Sequence, residues 1–390
     1  MAQGMSRDAI SMMEQAARSA TGRAVLLSPN PMHDTGGGQR SAQIARELIA
    51  RDWFVAFVAH GRVTETVDLA ERFEHPRVAH IPLEEWATRA GRGALARVLE
   101  GGATIAIGQV PVAEWLPTAR AVSRGGGVSV FDLIDEWDSE LGYGWYKGRV
   151  ESRLARESDV LVASAPALVA RLERATERAP HLLPNAFNQR IFRVGPHPRA
   201  HDLPTGMPIA LYVGSLWGCW MDWQLVRHLA TEAPDVAFVF VGDYRGEGGE
   251  LPANCRFLGL KPQTELPGYL AHAAVAFLPW SVDAVTQATS PLKVYEFVAM
   301  GLRVVSPPLE PLAGIPGVHA AADADAFLRA IRASARATVG PQERIAMAAF
   351  SERNSWAARV DTLLALTGDA AKPGASGRRR RFPWPSWSWK

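Results

Sequence analysis

The chain has 390 residues, 42 of them Lys or Arg and 40 Asp or Glu, for a formal net charge of +2. That length exceeds one ordinary core, so two domains are expected; 47% hydrophobic and 21% charged residues fit a globular fold, and the near-zero net charge gives no electrostatic case for nucleic acid as a partner. Two cysteines, Cys219 and Cys255, argue against a disulfide scaffold or a Cys-rich metal site. Residues 1–21 are polar and Ala-rich, lack the unbroken apolar core of a signal peptide, and read as a flexible N-terminus. No window reaches the roughly 18 apolar residues of a bilayer span, so a cytoplasmic protein is expected.

Ala24–Ser28 reads as the first apolar strand. A glycine-rich turn follows, Asp34 to Arg40, and then a helix over Ser41–Arg51 with Ile44, Leu48 and Ile49 on one side. Trp53–Ala59 is a second, continuously apolar strand, with further strands near Arg77–Ile81, Thr104–Ile107, Val128–Ile134 and Asp159–Ala163, the last preceding a helix over Ala165–Glu177. Continuous apolar strands alternating with helices predict a parallel sheet covered on both faces.

The segment 193–207 is rich in Pro, His and Gly and reads as an interdomain linker. The alternation then restarts: strands at Ile209–Gly214, Val236–Gly242, Phe257–Gly259 and Ala274–Pro279, with helices over Trp220–Glu232 and Thr264–His272. Three helices close the chain, Ala324–Ala335, Pro341–Arg353 and Trp356–Leu366, with Asp323 and Ser355 as caps for the first and third. The expected organisation is an N-terminal Rossmann-like domain over 22–192 and a C-terminal one over 208–350. A helical segment, 351–368, would cross back to the first domain, and a basic, Trp-rich tail over 369–390 would be disordered. Two doubly wound domains place ligands at the carboxyl ends of their strands, facing a central cleft.

One stretch carries more than pattern: Thr289-Ser290-Pro291-Leu292-Lys293-Val294-Tyr295-Glu296-Phe297, ending at Gly301 before Val304-Val305. Ser290 reads as an N-cap, Pro291 as the first helical position and Gly301 as the left-handed stop. Lys293 and Glu296 then share one helix face. A lysine in a first turn opposes the helix dipole, which an anion in front of it would explain. A carboxylate one turn deeper accepts hydrogen bonds from a sugar diol, and phosphate plus diol describes a nucleotide. A solvated Lys–Glu pair on a surface helix is the plain alternative.

With these segments in order, the chain from about Ala24 to Leu366 resembles the GT-B glycosyltransferases. It is most similar to the large retaining family four (glycosyltransferase group 1), and within it to the polysaccharide-assembly subset with a Pro-Leu-Lys-x-Tyr-Glu helix. The similarity rests on Tyr212-Val213-Gly214-Ser215-Leu216, Phe257-Leu258-Gly259, Glu265 to Leu270, Ala274 to Pro279 and Ser290 to Phe297. In the first half it rests on Gly36-Gly37-Gly38, Phe131 to Asp135 and the hinge Pro184-Asn185-Ala186. The resemblance implies a sugar transferred with retention from a UDP- or GDP-sugar to a glycan or lipid-linked acceptor, in cell-surface polysaccharide biosynthesis, with no metal and no cofactor besides the donor. It assigns Glu296 to the ribose. Glu296 matches the second acidic position of the family pattern; the first, eight residues earlier, holds Ala288 here.

On this reading Asp132, Asp135 and Lys293 are the catalytic candidates: the acids to orient or deprotonate the acceptor, the lysine to stabilise the leaving diphosphate. Substrate contacts are expected from Gly36, Gly37, Gly38, Arg40 and His33 on the acceptor side. On the donor side they are expected from Trp217, Asp243, Lys261, Asp283, Ser290, Leu292 and Glu296. The terminal run Gly377 to Lys390, with four arginines beside Trp384, Trp387 and Trp389, suits peripheral contact with an anionic membrane at the inner face of the cell. Two other functions fit the same scaffold: a nucleotide-sugar 2-epimerase, and a catalytically degenerate partner subunit.

Overall fold

The computed structural model describes residues 7–34, 38–62, 73–88, 90, 91, 93 and 104–371. The strands are β1 (Gly22–Ser28), β2 (Trp53–Ala59), β3 (Val78–Pro82), β4 (Thr104–Gly108), β5 (Val128–Leu133), β6 (Val160–Ala163) and β7 (His181–Leu182) in one sheet. A second contains β8 (Ile209–Val213), β9 (Ala237–Val241), β10 (Cys255–Phe257), β11 (Val275–Phe277), β12 (Val304–Ser306) and β13 (Val318–Ala320). The orders are β3-β2-β1-β4-β5-β6-β7 and β10-β9-β8-β11-β12-β13. Every strand pair within the two sheets is parallel, so each strand needs a crossover, and the intervening helices cover both faces. The central strands β1, β4, β5, β8 and β9 are buried along their whole length, which is why they read as unbroken apolar runs.

In each sheet the order reverses beside its first strand, between β1 and β4 and between β8 and β11. Loops leaving those strand ends diverge and open a crevice. The carboxyl end of β8 runs into Gly214, whose φ of +137° suits a residue without Cβ. A Cβ there would collide with the ammonium of Lys293, and one at Gly242, after β9, would collide with the carbonyl of Gly214. The two glycines therefore let the ends of β8 and β9 and the Lys293 side chain pack closely.

The N-terminal segment expected to be flexible contains a helix, Arg7–Arg18, that buries Met13 and Ala17 in the first domain's core. Segment 193–207, read as a linker, is fastened to the second domain: Asp202 bonds Lys261 and Tyr269, and Leu203 is buried in that domain's core. The passage between domains lies earlier. Leu183 and Ala186 pack with the first domain, Phe187 and Phe192 with the second. The return passage lies beside it, where Phe187 N–H donates to the Asn354 carbonyl (3.3 Å) and Trp356 N–H to the Phe187 carbonyl (3.1 Å). The helix Pro341–Arg353 ends just before, and the helix Trp356–Ala371 lays Trp356, Val360 and Leu363 into the first domain's core. Among the described residues no helix is long and apolar enough to cross a membrane. Residues 372–390, with the basic Trp-rich run, lie outside the described residues.

Candidate active site

The two sheets' carboxyl edges face a cleft with a cavity volume of about 270 Å³. The second domain's wall of the cleft is built on the helix Leu292–Ala299. Its N-cap is Pro291, one residue later than expected, and Ser290 lies outside the helix. The Ser290 hydroxyl instead accepts from the Asn185 N–H (3.0 Å), and its carbonyl accepts from Asn185 Nδ2 (2.7 Å). This shift leaves the N–H groups of Leu292 and Lys293 without a partner among the described residues, at the positive end of the helix dipole and lining the cleft.

Lys293 Nζ donates to Tyr212 Oη (3.0 Å) and lies 4.6 Å and 4.8 Å from the ring centroids of Tyr212 and Trp280. Tyr212 Oη donates in turn to the Ser215 carbonyl (3.0 Å) and accepts from Trp280 Nε1 (3.3 Å). Among the described residues no carboxylate forms an ion pair with Lys293. An aromatic cage thus holds a cation in the first turn of a helix, where the backbone dipole opposes it. The ammonium lines the cleft.

Glu296, one turn deeper, is 4% exposed, and its Oε1 accepts from Gln263 Nε2 (3.1 Å). Burial pushes its carboxyl up to about 8, against the hydrogen bond from Gln263 and the charge of Lys293, which lower it. The ionised form has lone pairs left for further donors.

Across the cleft, Asp135 follows β5 and is half-buried. Desolvation raises its carboxyl to about 7; the Arg40 guanidinium lowers it and Glu136 adds to the rise. Among the described residues no side chain bonds the Asp135 carboxylate, which faces the cleft. Asp132, three residues earlier and inside the strand, differs. It is 1% exposed, binds Arg40 in a bidentate pair (2.8 and 2.9 Å), and also accepts from Gln109 Nε2 (2.7 Å). It lies outside the cleft lining, with its carboxylate engaged by Arg40 and Gln109. Arg40 lines the cleft, but its donors are committed: beyond Asp132, Nη1 reaches Asn185 Oδ1 (3.2 Å), and the guanidinium lies 5.9 Å from the Trp356 ring.

The remaining candidates divide. Gly38, Trp217, Asp243, Lys261, Ser290 and Leu292 line the cleft. The Lys261 ammonium, however, is held by Asp202 at 2.6 Å, so Lys293 rather than Lys261 offers charge. Asp243 is paired with Arg245 (2.8 Å), whose guanidinium stacks 4.1 Å over Trp217. Asp283, expected to touch the sugar, is an exposed N-cap whose Oδ1 accepts from the Thr286 N–H (2.8 Å), and it is not among the lining residues. His33 is also outside the lining. Gly36 and Gly37 lie outside the described residues. Ala288 is 1% exposed and packs into the first domain's apolar cluster with Trp137 and Phe131. Sequence reasoning missed Tyr212, Trp280, Gln263 and Gln43. For Tyr212 and Trp280, an aromatic at or just past a strand's carboxyl end was an available signal. An isolated Gln gives none.

No family model matches the chain. Among curated proteins it is 29% identical over 92 residues to TuaH of Bacillus subtilis, provisionally named a teichuronic acid biosynthesis glycosyltransferase; the match covers 22% of this chain and 23% of that protein's length. Among solved structures it resembles a glycosyltransferase of Rickettsia africae (12% identity, TM-score 0.66, 90% of this chain and 99% of that one). It also resembles Anabaena HepE in complex with UDP-glucose (15%, TM-score 0.60, 88% and 99%) and sucrose-phosphate synthase of Thermosynechococcus elongatus (17%, TM-score 0.58, 88% and 98%). These likenesses extend over both domains and establish the GT-B fold.

Proposed function

We propose that this protein is a glycosyltransferase that moves a sugar from a UDP- or GDP-sugar to a hydroxyl of a glycan or lipid-linked acceptor. The observation that carries this reading is the caged Lys293 ammonium beside two free helix N–H groups, with Glu296 one turn below. Diphosphate lies against the first and ribose against the second. In the transition state the glycosyl–phosphate C–O bond breaks while the acceptor oxygen bonds the anomeric carbon. Negative charge grows on the diphosphate, where Lys293 and the helix N-terminus are preorganised to receive it. Asp135, held near 7 on the opposite wall, takes the acceptor proton. Donor binding to HepE, of the same fold, supports a nucleotide-sugar in this cleft.

Retention of configuration follows from the resemblance to family four. A role in cell-surface polysaccharide assembly is supported by the naming of TuaH, and peripheral contact with an anionic membrane by the composition of residues 377–390. No cofactor beyond the donor is required. The test is a panel of UDP-, GDP- and ADP-sugars assayed for binding and for slow hydrolysis without acceptor. Release of UDP or GDP with free sugar supports transfer. A donor converted to its epimer without nucleotide release would replace this function by epimerisation, and no binding of any nucleotide would end the reading.

A further inference from the structure

Three carboxamides, two of them buried and Gln263 half-buried, join the passage between the domains to the Glu296 carboxylate. Asn188, on that passage, donates from Nδ2 to Gln43 Oε1 (2.9 Å). Gln43, on the helix Arg40–Ile49 of the first domain, donates from Nε2 to Gln263 Oε1 (3.4 Å). Gln263, on the loop after β10 of the second domain, donates from Nε2 to Glu296 Oε1 (3.1 Å). Asn188 and Gln43 are 7% and 2% exposed.

The direction of this chain is fixed at the Asn188 end. Asn188 Oδ1 accepts from the backbone N–H of Arg190 (3.0 Å), and a backbone N–H can only donate. The Asn188 amide nitrogen must therefore face Gln43. At the far end Glu296 Oε1 therefore meets an N–H, a contact that favours the ionised form. The two glutamines between are held in one orientation, each presenting oxygen backward and nitrogen forward. The contact between Gln43 and Gln263 is the longest of the three and the only one that crosses between the domains' own elements.

We propose that Gln43 and Gln263 are positioning residues that orient the Glu296 carboxylate, so that the first domain sets how well the second domain holds a nucleotide's ribose. The proposal rests on reading the cleft as a nucleotide site. The other charged groups lining that cleft are Lys293 on the same helix, Lys261 held by Asp202, Arg40 held by Asp132, Asp243 held by Arg245, and Asp135 on the opposite wall. None of these bonds Glu296 directly; among the described residues Gln263 does.

The polarity of the relay supplies a test that a merely structural role fails. Gln43→Glu keeps the shape and the bond from Asn188 but has no N–H to offer Gln263. Two acceptors then face one amide, and Glu296 holds its proton more tightly. Gln43→Met removes the link without reversing it. The full-length variants, with Gln263→Met and Glu296→Gln, are followed by carbon NMR of labelled glutamate side chains, the Glu296→Gln spectrum assigning the resonance. Affinity for UDP and GDP is measured by calorimetry at pH 7. The relay predicts that Gln43→Glu raises the Glu296 titration by about one unit over Gln43→Met and weakens the bound nucleotide about tenfold more. Gln263→Met should raise that titration as well. Equal titration of Glu296 in the two Gln43 variants, or no movement in Gln263→Met, overturns the proposal. The ligand-free titration decides it even if wild type binds neither nucleotide, an outcome that would refute the nucleotide reading alone.

Discussion

Replacing Glu296 by Gln should stabilise the free protein in alkali while removing its hold on nucleotide. The folded carboxyl is held near 8, against an ordinary value of 4.5. Its pKa is raised, so the native state binds a proton that the unfolded chain releases, and stability falls as pH rises from about 4.5 to about 8. At 1.36 kcal/mol per unit, Glu296 costs the native state on the order of 3–4 kcal/mol more at pH 9 than at pH 5. Gln is isosteric, keeps a carbonyl for the Gln263 amide, and has no such cost. The midpoint of thermal unfolding should therefore rise for Glu296→Gln relative to wild type at pH 9 and differ little at pH 5. Nucleotide binding should move the other way. Hydrogen bonds to a charged acceptor contribute about 1.5–3 kcal/mol each, so losing the charge weakens UDP or GDP by at least about tenfold. Differential scanning calorimetry at the two pH values, with titration of nucleotide into both proteins, checks both arms. A variant no more stable than wild type at pH 9, or one that binds nucleotide equally well, would refute the reasoning.

Three further substitutions separate the roles of neighbouring groups. Lys293→Met preserves length and packing in the aromatic cage but removes the charge, so nucleotide diphosphates should weaken sharply and lose their salt dependence while the unliganded fold is retained. Asp135→Asn should leave donor binding intact and abolish the rise in transfer rate with pH through about 7 that a general base held near that value predicts; an unchanged pH–rate profile would remove Asp135 from the chemistry. Asp132→Asn leaves the Arg40 guanidinium buried beside a neutral partner, which should cost about 3–5 kcal/mol, read as a lower unfolding midpoint at every pH where wild-type Asp132 is ionised.

Much of the architecture was legible because parallel sheets buried on both faces demand unbroken apolar strands, and β1, β2, β8 and β9 have them. Lys293 and Glu296 were legible for a similar reason. Their spacing and the first-turn position of a cation are local facts, and the frame slip at Pro291 did not disturb them. What the sequence could not show was partners distant along the chain. Asp132 and Asp135 look alike in the chain, yet Arg40, 92 residues away, closes on one and leaves the other open. Lys261 looked free because nothing local announces Asp202. The capping role of Asp283 was readable, since Asp-x-x-Thr ahead of a short helix is a capping pattern and the Thr286 side chain completes it. Gln43 and Gln263 were invisible, because an amide acquires direction only from what faces it.

The most direct test of the account is a crystal structure with UDP or GDP bound. It should place the diphosphate within hydrogen-bonding distance of Lys293 Nζ and the N–H groups of Leu292 and Lys293. Both ribose hydroxyls should lie on the Glu296 carboxylate, still bonded by Gln263. A nucleotide bound elsewhere in the cleft, with Lys293 still facing only Tyr212 and Trp280, would contradict it.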